Sequence, residues 1–217
     1  MGQIVDTERK YRPHTLADFV YANDEIKDVV SSYGSGNITR PLILSGTNGT
    51  GKSLLAELIP KAIEGFTPAV NRVRSCDLNS NKEIYSQFTR NKQFDLLFTT
   101  NNQRYNYYII EEVNFDPKSS DAFRVVLDDY RGVDLTIMTS NEVAKIDIGI
   151  RSRCEVLTVP PCEPHVFLPR AKTILEEEGF VIDEKKLLSA LEAVYEVKAD
   201  NRLYYQKLDE ILRKADS

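Results

Sequence analysis

Eight consecutive residues of this chain have the types and spacing to hold a phosphate group. Gly46, Thr47, Asn48, Gly49, Thr50, Gly51, Lys52 and Ser53 match the pattern G-x-x-x-x-G-K-[ST]. Glycines at 46, 49 and 51 permit backbone angles that turn successive N–H groups inward, which makes a concave anion nest. A helix starting there adds its dipole. Lys52 would reach the β and γ phosphates of a nucleotide, and the Ser53 hydroxyl would ligate Mg²⁺. A second constellation is Tyr107, Tyr108, Ile109 and Ile110 followed by Glu111 and Glu112, an apolar strand that delivers two adjacent carboxylates to a sheet edge. One of the pair can hold hydrated Mg²⁺ while the next polarises an attacking water.

Those residues need a sheet to carry them and helices to cover it. Apolar runs of strand length stand at 41–45, 69–75, 107–110, 135–139 and 155–159, with β-branched or aromatic content and polar or Gly-bearing ends. Segments with helical spacing lie between them, such as Leu55, Leu58, Ile59 and Ala62, or Ala122, Val125, Val126 and Tyr130. This alternation predicts an α/β fold, a five-stranded parallel sheet flanked by helices. Pro60 should kink or shorten the first helix after the phosphate loop. Pro160 and Pro161 cannot continue a ladder, and the pattern beyond them is purely helical. The reading is a nucleotide-binding α/β domain at 1–160 and an α-helical domain at 161–217. The latter has three helices: 167–178, ended by Gly179; 184–195, opened by Asp183 as a cap; and 201–214, amphipathic through Leu203, Leu208, Ile211 and Leu212.

Composition excludes several other classes. With 217 residues the chain can build its core without staples, and Cys76, Cys154 and Cys162 are odd in number and widely separated, as reduced cytosolic thiols are. His14 and His165 are the only histidines, too few to suggest a zinc site. No apolar run has the length of a signal or a membrane span, and Asp6 stands where a Gly2 myristoylation pattern wants Ser or Thr. A soluble cytoplasmic protein is expected, with no membrane partner. The net charge of −5 repels a phosphate backbone, so nucleic acid would need a local basic face. Between 70 and 105, six cations (Arg72, Arg74, Lys82, Arg90, Lys92, Arg104) face three acids (Asp77, Glu83, Asp95). That segment reads either as a solvated helix face with a loop or as a DNA-contacting face.

Taken in order along the chain, the motifs resemble the clamp-loader branch of the AAA+ ATPases, specifically replication factor C small subunits and their archaeal and phage relatives. Tyr11, Arg12 and Pro13, followed by Thr15, Leu16, Ala17, Asp18, Phe19 and Val20, are similar to the family's opening signature. The resemblance implies that Tyr11, Arg12, Pro13 and Val20 wall the adenine. Glu111 and Glu112 stand where the family usually reads Asp-Glu, which implies Glu111 as the Mg²⁺ ligand and Glu112 as the catalytic carboxylate. Thr139, Ser140 and Asn141 resemble a sensor-1 strand end, with Asn141 bonding the γ-phosphate or the attacking water. Ser152, Arg153 and Cys154 are identical to the family's SRC box, which implies that Arg153 is a finger inserted into the adjacent subunit's ATP. Ala199, Asp200, Asn201 and Arg202 resemble the lid motif Gly-Asp-x-Arg, which makes Arg202 a sensor-2 arginine reaching the γ-phosphate in its own subunit.

The implied fold is a P-loop AAA+ five-stranded parallel sheet flanked by helices, followed by a small three-helix lid domain. Catalytic roles then fall to Lys52, Glu112, Asn141 and Arg153. The implied cofactors are ATP and Mg²⁺, and the implied partners are other AAA+ subunits, DNA, and a sliding clamp or replication protein. Such a protein would be cytoplasmic, or nuclear in a eukaryote. Two alternatives share the same residues: a non-hydrolysing ATP-binding structural subunit that donates its arginine finger to a partner, and a clamp-loader-like regulator in mobile-element or defence machinery. Three departures stand out. Glu111 adds a methylene to the usual Asp, Tyr21 and Ala22 replace the usual Gly-Gln, and the 217 residues end with the lid where relatives continue into a helical collar.

Overall fold

The computed structural model describes residues 6–98 and 103–215, with side chains described for all but 90–98 and 215. Five parallel strands form the sheet among these residues: β1 Leu42–Ser45, β2 Val70–Arg74, β3 Asn106–Glu111, β4 Asp134–Ser140 and β5 Glu155–Thr158, in the order β2-β3-β4-β1-β5. β1 is flanked on both sides and every residue of its LILS run is buried. That is why it reads in sequence as an unbroken apolar run. The strand order reverses at β1, and in open parallel sheets such a switch point leaves a crevice beyond the carboxyl ends of the strands.

Strand alternation divides the sheet's side chains between two apolar clusters. Leu42, Leu44, Tyr107, Ile109 and Ile137 pack against α2 Asp24–Gly34 and α3 Lys52–Glu64, through Ile26, Val30, Tyr33, Leu55 and Ile59. Ile43, Tyr108, Ile110 and Met138 face the other way. They meet Phe88 of α4 Asn81–Phe98, Phe123 and Val126 of α5 Pro117–Asp129, and Ile150 of α6 Ile148–Arg153. The face α5 buries is Ala122, Phe123, Val126 and Leu127; Val125, expected there from its spacing, is 44 % exposed.

Pro60 does not end the first helix after the phosphate loop. It sits buried inside α3, which continues to Glu64 before Gly65 ends it. The missing N–H forfeits one bond to Ala56, but the ring belongs to the face that packs on the core, and burial offsets that loss.

After β5 the chain is helical: α7 Pro164–Glu177, α8 Glu184–Val197 with Asp183 as its cap, and α9 Asn201–Ala215. A third apolar cluster joins Phe167, Ile174, Leu187, Leu191, Tyr204 and Leu208, and Tyr11 belongs to it. Tyr11 follows α1 Thr7–Lys10, which lies on α9 through the Thr7 N–H on Asp209 Oδ1 (2.9 Å) and the Thr7 hydroxyl on the Tyr205 carbonyl (3.0 Å). Lys10 Nζ (2.6 Å) and the Tyr11 hydroxyl (2.8 Å) both donate to Glu178 Oε1 at the end of α7. One residue later the strap crosses to the sheet side, where Arg12 pairs with Glu57 of α3 at 2.5 Å. No helix among the described residues is long and apolar enough to cross a membrane.

Two outcomes test this packing. Phe123→Ala should destabilise the chain by about 3–5 kcal/mol in urea unfolding, as truncation of a fully buried aromatic does. The hydrogen bond from Lys10, then that from Tyr11, holds the Glu178 carboxyl below its ordinary 4.5. Its folded value is thus the lower one, so its contribution is present above pH 4.5 and is lost as pH falls through the folded value. Glu178→Gln should flatten the acid side of a melting-temperature profile in that window.

Candidate functional site

β1 delivers the phosphate loop to the sheet's carboxyl edge, and its two neighbours tether the exit. The Gly46 N–H donates to the Ser140 carbonyl of β4 (3.2 Å), and the Val159 N–H, just past β5, donates to the Ser45 carbonyl (2.7 Å). At Gly51, the N-cap of α3, φ is 92° and an added Cβ would strike the Phe19 ring, so the turn requires glycine there. Among the described residues, the N–H groups of 49–53 donate to no protein acceptor. Donors converging at a helix start suit an anion, and the residues therefore fit a nucleotide's phosphates. Lys52 is 8 % exposed, and its Nζ donates to the carbonyls of Gly46 (2.8 Å) and Thr47 (2.6 Å). Burial first, and the Arg202 charge second, push its pKa down from 10.5, with Asp200 opposing.

The loop forms one wall of a cavity of 620 Å³. Of the residues singled out from sequence, Arg12, Pro13, Val20, Asn48, Gly49, Thr50, Gly51, Lys52, Ser53, Glu112, Asn141 and Arg202 line it. Gly46 and Thr47 form the loop's entry, where their carbonyls hold Lys52. Tyr11 does not line the cavity, since its ring is buried with the lid helices and its hydroxyl is committed to Glu178. Asp6, Glu8, Phe19, Thr139, Phe167, Asn201 and Tyr205 line the cavity without having been assigned a role from sequence. Asn201 and Thr139 stand inside the two short motifs quoted above, while Phe167 and Tyr205 arrive from distant lid helices and carry no local signal.

The two carboxylates that end β3 part company. Glu112 faces the cavity with φ 54°, and it alone among the described non-glycine residues has a positive φ. That strain is held from three sides. Its N–H donates to Thr139 Oγ1 (3.3 Å), its carbonyl accepts the Ser75 hydroxyl (2.6 Å), and the next N–H, of Val113, donates to the Thr139 carbonyl (2.9 Å). Glu111, one position earlier, falls on the α3 side of the sheet and does not line the cavity. Arg72 Nε of the edge strand β2 lies 3.8 Å from Glu111 Oε1, and Arg72 Nη2 lies 2.5 Å from Glu57 Oε1. Glu57 thus bridges Arg12 and Arg72, and through Arg72 the chain of charges ends on Glu111.

Arg153 is outside the cavity, at the end of α6. Its Nε and Nη2 bind the Asp128 carboxylate at 2.9 and 2.8 Å, and its Nη1 donates to the Gly149 carbonyl at 2.9 Å. Arg40 holds the same turn from below by donating to the Ser152 (3.1 Å) and Arg153 (3.4 Å) carbonyls, the exposed acceptors of a helix end. Of the basic segment at 70–105, Arg74, Lys82 and Arg104 are exposed and Arg72 is taken up by carboxylates, while the side chains of Arg90 and Lys92 lie outside the described residues.

No protein-family model matches the chain. It is 27 % identical over 192 residues to replication factor C small subunit 1 of Pyrobaculum islandicum, covering 87 % of this chain and 56 % of that protein. The replication factor C small subunit of Picrophilus torridus is 26 % identical over 191 residues, with 87 % and 58 % covered. DNA polymerase III subunit gamma of Buchnera aphidicola is 26 % identical over 196 residues, with 82 % and 54 % covered. In sequence the chain resembles the clamp-loader AAA+ proteins. It spans a little over half the length of these relatives. Among solved structures, a point mutant of Thermotoga maritima RuvB superposes with a TM-score of 0.73 at 12 % identity, over 96 % of this chain and 68 % of that one. The clamp-loader-like chain therefore has the α/β P-loop fold of that protein.

The strained Glu112 backbone gives a direct test. Glycine adopts φ 54° freely and alanine does not, so Glu112→Gly should be more stable than Glu112→Ala by about 1 kcal/mol in denaturant unfolding. Equal stability of the two variants would mean that the turn relaxes once the side chain is gone.

Proposed function

We propose that this chain is an ATP-binding AAA+ subunit that hydrolyses ATP at subunit interfaces of a clamp-loader-like assembly, loading a sliding clamp or remodelling a replication complex on DNA. One observation carries the reading. Lys52, the donors of 49–53, Glu112, Asn141 and Arg202 converge on a single cavity, while Arg153 of the same chain lies outside it. The division at residue 160 is part of the same reading, supported by a third apolar cluster built from Tyr11 and residues from Cys162 onward.

In this mechanism the loop N–H groups and Lys52 bind the phosphates, and the N-terminal strap with Arg12, Pro13 and Val20 closes on the base. Ser53 would hold Mg²⁺, which supplies neutralisation of phosphate charge; Glu111, which the resemblance implies as a further ligand, would have to leave Arg72 to reach it. Glu112 orients the attacking water and accepts its proton, and Asn141 fixes that water or the γ-phosphate. Arg202 contacts the γ-phosphate from the lid. Arg153 releases Asp128 and completes the neighbouring subunit's site, where it offsets charge that develops on the transferred group. Arg74, Lys82 and Arg104 are exposed cations of the segment at 70–105 proposed to track DNA phosphates.

A second reading, an ATP-binding subunit that does not hydrolyse but lends Arg153 to a partner, is favoured by Glu111. Its carboxylate sits beside Arg72 rather than on the cavity wall. Turnover of the assembled protein, with and without primed DNA, separates the two. Arg153→Ala should leave ATP affinity of the isolated chain within about twofold and cut assembled turnover by about a thousandfold, the scale of an arginine finger. Wild-type turnover in that variant removes the finger role, and absent turnover in the unmodified assembly selects the second reading.

A further inference from the structure

The lid meets the phosphate loop at one junction. Between α8 and α9, Asp200 is 4 % exposed, an unusual place for a carboxylate. It is buried against the loop itself. A Cβ on Gly49 would overlap the Asp200 carboxylate, so only glycine, here with φ 78°, leaves room for it. Asp200 Oδ1 accepts the Arg202 N–H (3.1 Å) and Nε (3.2 Å), and Oδ2 accepts Arg202 Nη2 (3.1 Å) with Lys198 Nζ at 3.5 Å. The next residue completes the joint. The Asn201 N–H donates to the Gly49 carbonyl at 3.2 Å, and its side-chain oxygen accepts the Cys162 N–H at 2.9 Å.

Capping α9 needs only a small polar side chain, and it explains neither the burial nor the grip on the guanidinium. Placing a carboxylate beside a phosphate site is unfavourable unless its charge is fully engaged. Burial alone would raise the Asp200 pKa, yet the Arg202 and Lys198 hydrogen bonds outweigh it and hold the carboxyl below its ordinary range. The grip takes Nε and Nη2 and leaves Nη1 of Arg202 with no protein acceptor among the described residues, on a side chain that lines the cavity.

We propose that Asp200 is a positioning residue that fastens the lid to Gly49 of the phosphate loop and aims the remaining guanidinium nitrogen of Arg202 at the γ-phosphate. Lid angle and nucleotide state are then read through one joint. Arg202 as a γ-phosphate contact is a premise taken from the proposed function.

The test uses the full chain with Asp200→Asn, which keeps the size that packs on Gly49 and gives up the charge. Two readouts are needed: equilibrium binding of ADP and of a slowly hydrolysed ATP analogue with Mg²⁺, and amide exchange at 201–203, whose N–H groups donate to Gly49 and Asp200, without nucleotide. The analogue's preference over ADP should fall by about tenfold, as loss of a charged hydrogen bond allows, and exchange at 201–203 should quicken. Arg202→Ala should lose the same preference, and the double variant should lose no more than Arg202→Ala alone. Equal weakening of both nucleotides, a tighter analogue, or unaltered exchange overturns the assignment. Should Asp200→Asn fail to fold, Arg202→Lys breaks the same two-point grip from the other side and must reproduce the loss. If Arg202→Ala keeps the unmodified preference, the phosphate-contact premise fails, and the exchange data alone decide whether Asp200 fastens the lid.

Discussion

Backbone N–H groups without a protein acceptor, gathered at the start of α3, are the constraint on which the rest of the structure depends. Such donors are tolerable only where solvent or an anion reaches them, and they stay convergent only if the backbone on either side cannot relax. The sheet supplies that rigidity. β1 is paired along its whole length between β4 and β5, and the loop's first residue is bonded to the Ser140 carbonyl. The same end of β4 holds the turn after β3, through Thr139, so the phosphate loop and the strained Glu112 are fixed to one strand. Their relation is therefore set by hydrogen bonds within the sheet and not by flexible side chains.

What was legible in the sequence was what local chemistry dictates. β1, β3 and β4, buried on both faces, read as apolar runs, and all five runs fall within a residue or two of the five observed strands. The three lid helices were equally plain, because Gly179, with φ 77°, ends a stretch and Asp183 caps the next. The phosphate loop was legible because its glycines answer backbone requirements that other residues meet poorly. Illegible features depend on partners distant in the chain. Tyr11 carries the opening signature, yet its ring packs with lid helices more than 150 residues away, because Glu178 offers its hydroxyl an acceptor. Glu111 and Glu112 look equivalent in sequence. The period of a strand and a single turn residue with positive φ send one towards Arg72 and the other into the cavity. That α3 continues past Pro60 was illegible for a similar reason, since its ring packs where the helix is already held by the core.

Charge follows a consistent rule around the proposed site. Each arginine assigned to phosphate is held by a carboxylate of its own chain, Arg153 by Asp128 and Arg202 by Asp200, while Lys52 is held by loop carbonyls. Several uncompensated cations around one small cavity would repel one another, and the depressed Lys52 value, owed in part to Arg202, registers that repulsion. The Asp200 carboxylate reduces it while no phosphate is bound. The two pairs differ in how readily they would exchange partners. Asp128 is 54 % exposed in its side chain, so water can replace Arg153 there at little cost, as expected of a group that must leave to reach a neighbour. Asp200 is 3 % exposed in its side chain, and to strip its arginine would leave a buried charge unpaired. Burial thus separates the two arginines: in the proposed assembly Arg153 could be surrendered to another subunit, while Arg202 stays with Asp200.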